Sequence, residues 1–120
     1  MSDPSAGTSS ATSSTLSLPQ VAEALAVPIT RIHQYLRDGA LVAIRDPENK
    51  RAVPSAYLRD GLIVKGLSGV IRLLRDARYS DEEIVDWLAR VDPSLPGTPI
   101  DALRQNRGTE VKRRAQSAGF

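Results

Sequence analysis

From residue 17 onward the apolar positions fall into short runs whose period changes several times. Leu18, Val21, Ala22 and Leu25 stand at the i, i+3, i+4, i+7 spacing of one helix face. Ser17 and Gln20 bracket this start as a capping box, with Pro19 tolerated in the first turn. The helix should end near Ala26, because Pro28 drives Val27 out of the α region. Pro28 then suits the opening of a second helix, with Ile29, Ile32 and Leu36 as its buried stripe. Gly39, following Arg37 and Asp38, predicts a left-handed cap that stops it.

Beyond Gly39 the helical period gives way to short β-type runs. Residues 41–45 and 51–53 flank the polar stretch 46–50, which contains Pro47, and read as a hairpin. Asp60-Gly61, between 56–58 and 62–64, predicts a second hairpin, because that dipeptide favours the turn whose twist matches paired strands. Helical spacing then returns with Leu67, Val70, Ile71 and Leu74. Ser80 and Glu83 form another capping box ahead of Ile84, Val85, Leu88 and Val91. Thr98-Pro99 opens a short helix carrying Ile100 and Leu103, and Val111, Ala115 and Ala118 mark the last one. Trp87 reads as a core anchor of this half and Tyr35 as a packing residue.

Two helices joined by a tight turn and followed at once by a hairpin are what a winged helix-turn-helix requires: the first helix braces the second, and the hairpin is the wing. The expected architecture is α+β and mainly helical. Residues 1–16 form a disordered Ser/Thr-rich tail, 17–65 the winged helix-turn-helix, and 66–120 a helical C-terminal region. Nine of the first fifteen residues are Ser or Thr, too polar to offset the entropy of ordering.

Composition narrows the function by exclusion. The chain has 120 residues, no cysteine and one histidine, His33. Disulfides, thiolate metal sites, a cysteine nucleophile and a histidine cluster are therefore ruled out. No apolar run approaches the ~18 residues of a membrane span, and no basic-then-apolar leader is present. The acids 81–83 are explained by a helix cap, and Gly66 and Gly69 do not belong to a phosphate loop. The expectation is a protein without enzymatic activity, metal or cofactor, located in the cytoplasm with the nucleoid.

Charge makes a polyanion partner the leading reading. The net charge is only +2, yet residues 31–78 hold ten bases against five acids, and 104–114 hold five against one. Between them, residues 81–101 hold six acids against Arg90. Thr30, Arg31, His33, Gln34 and Arg37 face outward from or flank the second helix. Arg can pair with guanine O6 and N7, Gln with adenine N6 and N7, and Thr with a phosphate or a thymine methyl. Arg45, Lys50 and Arg51 on the wing would anchor phosphates. The implied partner is double-stranded DNA. Thr8, Thr12 and Thr15 are candidate phosphorylation sites, where each phosphate would add roughly −1.5 to −2 charge beside a basic domain.

The run LPQVAEALAVPITRIHQYLRDGALVAIR (18–45) resembles the excisionase-like and MerR-like helix-turn-helix group. Residues 64–120, through the motifs WL…DPSLPGTPIDAL (87–103) and EVKRRAQ (110–116), are similar to a more specific family. It is an actinobacterial family of winged helix-turn-helix DNA-binding proteins whose mycobacterial member is a substrate of the Ser/Thr kinase PknL. That resemblance implies a transcriptional regulator or chromosome-associated protein whose DNA binding falls when a tail threonine is phosphorylated. No threonine of this tail aligns with the family's site, so none is carried over. More distantly, the C-terminal half resembles the toxin-binding region of Xre/MbcA/ParS antitoxins, with Pro99 and Leu103 at the spacing of its Pro-x-x-x-Leu segment. This second resemblance implies a protein-interaction module with autoregulatory DNA binding. A dimer formed through the C-terminal helices is a further partner reading.

Overall fold

The computed structural model of the chain describes residues 14–95 and 97–118. Helix α1 (Leu18–Leu25) starts where its capping box places it. Ser17 Oγ accepts from Gln20 N at 3.2 Å, and Gln20 Oε1 accepts from Ser17 N at 2.8 Å. The helix stops on Ala26 in the left-handed region, φ 57°. Helix α2 (Ile29–Asp38) buries Ile32 and Leu36 and ends on Gly39 at φ 83°. Ile29 departs from expectation, because it stays 39% exposed. It lies on the inward arc, but as the first residue of the helix.

The wing is shorter than the apolar run suggests. Strand β2 (Ile44–Arg45) pairs antiparallel with β3 (Arg51–Pro54), with Ile44 opposite Ala52 and Arg45 opposite Arg51. Leu41, Val42 and Ala43 are consecutive buried residues outside any strand. A segment enclosed on every side needs no alternation. A third strand, β1 (Thr15–Ser17), occupies the other edge of β3, with Leu16 opposite Val53. The tail expected to be disordered through residue 16 is therefore corrected at its end, where Thr15 and Leu16 belong to the sheet. Residues 1–13 lie outside the described residues.

A 3-10 turn (Ser55–Tyr57) leads into β4 (Leu58–Arg59) and β5 (Leu62–Ile63), the second expected hairpin. Asp60 at φ 53° and Gly61 at φ 76° make two successive left-handed residues, the turn that Asp-Gly favours.

Four helices follow: α3 (Leu67–Asp76), α4 (Asp81–Ala89), α5 (Pro99–Arg104) and α6 (Gly108–Ser117). Ser80 and Glu83 close the capping box of α4, and Thr98 and Asp101 close another on α5. Val91 is 70% exposed, contrary to expectation. The helix ends at Ala89 and Arg90 is extended, so helical phase no longer carries Val91 inward. Trp87 packs against the core only partly buried, so it flanks that core instead of anchoring it. The buried residues form one cluster running from Leu18 of α1 to Ala115 of α6, and so through both halves of the chain.

Candidate nucleic-acid interface

On α2, burial of Ile32 and Leu36 against α1 fixes which side chains meet solvent. Thr30, Arg31, His33, Gln34 and Arg37 are all exposed. At 100° per residue, Thr30, His33, Gln34 and Arg37 share an arc of about 100°, with Arg31 at its flank. None of the five side chains makes a hydrogen bond or ion pair with another described residue. The face offers donors and acceptors to whatever docks on it.

The wing turn is held by Asp46, whose Oδ1 accepts from Glu48 N and Lys50 N, both at 2.9 Å. Asn49 takes the left-handed position, and Arg45 donates from Nη1 to its carbonyl at 3.2 Å. Register places Arg45 directly across from Arg51. Like charges opposite one another on a strand pair are unfavourable unless an anion lies between or beside them. Ser80, Asp81 and Glu82 line the opposite side of the groove that Arg45 and Arg51 border. Lys50 is exposed and stands 4.0 Å from Glu48.

Other members of the basic blocks have structural work. Arg72 Nε donates to the carbonyl of Asp38 at 3.0 Å. Arg75 donates to the carbonyl of Leu36 at 3.0 Å and to that of Arg37 at 3.4 Å, and pairs with Asp81 at 3.2 Å. These guanidinium groups satisfy the orphan carbonyls at the C-terminus of α2, where a cation also complements the helix dipole. Arg104 Nη1 likewise donates to the carbonyls of Ala56 at 2.8 Å and Leu58 at 2.9 Å, and Arg59 donates to the carbonyl of Arg104. Charge counting treats all four as available to a polyanion. Local sequence does not reveal these carbonyl contacts, since the carbonyls lie 34 to 48 positions away.

Of the candidate tail sites, Thr15 sits in β1 opposite Pro54, while Thr8 and Thr12 lie outside the described residues. Pro99 and Leu103 are both buried. Among the described residues no group of three or more His, Asp or Glu side chains could hold a metal ion, and no helix is long and apolar enough to cross a membrane.

A helix pair with a short turn, an exposed second helix and a wing beside it together define a winged helix-turn-helix protein. Residues 8–58 match the family described as "DNA-binding protein Rv2175c, wHTH domain", and residues 64–119 match "Rv2175c C-terminal domain of unknown function". The chain belongs to this family of DNA-binding proteins. It is 38% identical over 118 residues to the DNA-binding protein Rv2175c of Mycobacterium tuberculosis (strain ATCC 25618 / H37Rv), covering 88% of this chain and 81% of that one. The NMR structure of Rv2175c matches with a TM-score of 0.81 at 35% identity, over 100% of this chain and 86% of that chain.

Proposed function

We propose that this protein binds double-stranded DNA in a sequence-dependent way, as a transcriptional regulator or chromosome-associated factor of the cytoplasm. The helix α2 enters the major groove with Thr30, Arg31, His33, Gln34 and Arg37, while Arg45, Lys50 and Arg51 hold the phosphate backbone. One observation carries the reading: the outward arc of α2 is polar, exposed and unpaired with any described residue, next to a wing whose two arginines stand opposite each other. Membership of a family of DNA-binding proteins supports it.

Neutralising ~4 phosphates makes log K fall against log salt with a slope of about −3.6. Fluorescence anisotropy on genomic and random duplexes across salt concentrations measures it, and an affinity indifferent to salt would refute the interface. In the same assay Arg31→Ala costs ~1–3 kcal/mol and relaxes the sequence preference, as expected of a base-edge contact. Phosphorylation of the N-terminal tail by a Ser/Thr kinase, at Thr8 or Thr12, adds negative charge and weakens the complex. Thr15, exposed in β1 opposite Pro54, is a third candidate target. In the interaction-module alternative a partner would bind other residues of the C-terminal half, since Pro99 and Leu103 are buried.

A further inference from the structure

On the helical half, the start of α3 and the start of α6 border a groove of about 370 Å³ that is open to solvent. Lys65 lines it ahead of α3 and Lys112 from α6, with the amide of Asn106 and the hydroxyl of Thr109. Both lysines are exposed. A second groove shares Lys65 and Asn106 and runs on past Arg104 to Arg59 and Asp60 of the β4–β5 hairpin. Four bases therefore line this continuous trough, Arg59, Lys65, Arg104 and Lys112, against the single acid Asp60, which stands 3.8 Å from Arg59. Arg59 and Arg104 are bound to backbone carbonyls, so Lys65 and Lys112 are the charges that the groove offers outward.

Gly69, on the same lining, is an independent observation. It is the third residue of α3, where glycine is less favourable than alanine. A methyl group at this position would meet no described atom within 4 Å beyond its own helix. Packing does not call for a glycine here, and a side chain at position 69 would stand in the groove.

The lining also selects the occupant. Ammonium, amide and hydroxyl donors suit phosphate oxygens. No aromatic ring lines either groove to stack a base, and an open trough does not enclose a small molecule, so a phosphate carried on a polymer fits better than a free nucleotide. Position adds to this. The far end of α3 carries Arg72 and Arg75, which hold the C-terminus of α2. Ten residues make α3 about 15 Å long, the rise of roughly four to five base pairs.

We propose that the groove between α3 and α6 holds backbone phosphates of the same duplex that α2 contacts, with Lys65 and Lys112 as their partners. The inference rests on the DNA-binding reading and extends it to the half of the chain outside the winged helix-turn-helix. Contacts of this kind add affinity and set orientation without reading sequence.

The test is fluorescence anisotropy of the full chain on one set of duplexes across salt concentrations. With α2 and the wing neutralising ~4 phosphates the slope is about −3.6, and two further phosphates steepen it to about −5.4. The double variant Lys65→Ala/Lys112→Ala returns the slope to about −3.6 and keeps the order of preference among duplexes. Gly69→Glu places a carboxylate in the groove on the first turn of α3, where an acid is favourable, so the thermal midpoint holds or rises. Its affinity at low salt nevertheless falls roughly fivefold, the size of one close like-charge contact in water. Ala89→Glu makes the same change of net charge at an exposed position outside the groove, and its affinity stays within about twofold of wild type. A salt-dependent wild type whose slope the double variant leaves unchanged overturns this proposal alone, as does equal binding by Gly69→Glu and Ala89→Glu. A wild type that ignores duplexes, or binds them without regard to salt, overturns the DNA-binding reading and this proposal with it.

Discussion

Ala26 closes the turn between α1 and α2 at φ 57°, ψ 45°, a conformation that costs an L-residue roughly 1–2 kcal/mol. Glycine avoids that strain but loses about 0.5–1 kcal/mol through the extra freedom of its unfolded chain. Ala26→Gly should therefore raise stability by up to about 1 kcal/mol, seen as a higher Tm with the exposed polar arc of α2 untouched. A lower Tm would show that the alanine methyl contributes packing that outweighs the strain. Tyr57 supplies a second expectation at this scale. Its phenol resists ionisation in the fold, whereas the unfolded chain ionises near pH 10. The stability it contributes is complete below pH 10 and is lost as pH rises above that value. Denaturant titrations at pH 9 and 11 should show a steeper decline for the wild type than for Tyr57→Phe. Ile29 and Val91 mark where reading single residues fails. Both lie on an apolar phase, and both are exposed because a helix begins or ends beside them.

Element ends were readable from local sequence because caps and tight turns are local chemistry. Ser17/Gln20, Ser80/Glu83, Gly39 and Asp60-Gly61 each act within a few positions of themselves. The strand β1 escaped that reading, since three residues have no period of their own and Leu16 stands alone in a polar stretch. Its one local signal is Leu16 at N′ and Val21 at N4, the positions of a hydrophobic staple. The arginines that grip the end of α2 escaped it too, because the contacts of Arg75 reach back 38 and 39 positions. Arg75→Ala should destabilise the protein by about 1.5–3 kcal/mol, the range for hydrogen bonds to a charged group. It should weaken DNA binding without changing the salt slope, whereas loss of a phosphate contact would reduce that slope by about one. A reduced slope would move Arg75 from the frame of α2 to the interface itself.

For the whole molecule, the outward face of α2 was the part of the candidate site that periodicity could supply, because Ile32 and Leu36 fix the phase of the helix. The fate of the basic blocks was not, because net charge cannot separate a guanidinium facing solvent from one bound to a carbonyl. The continuity of the core from α1 to α6 likewise depends on contacts between distant segments. That continuity leads to a single cooperative unfolding transition. Calorimetric and van't Hoff enthalpies should agree, and two resolved transitions would show that the halves fold separately.

The grip of Arg72 and Arg75 on α2 bears on how this architecture can be rebuilt. A chimera that joins the first half of one relative to the second half of another inherits an α2 seated by foreign guanidinium groups. Its DNA binding will survive the exchange when donors equivalent to Arg72 and Arg75 travel with the graft and the acceptor keeps a glycine at position 39, where a methyl group would come within 3.1 Å of the Arg72 stem. The two segments are therefore poor candidates for free recombination as interchangeable parts.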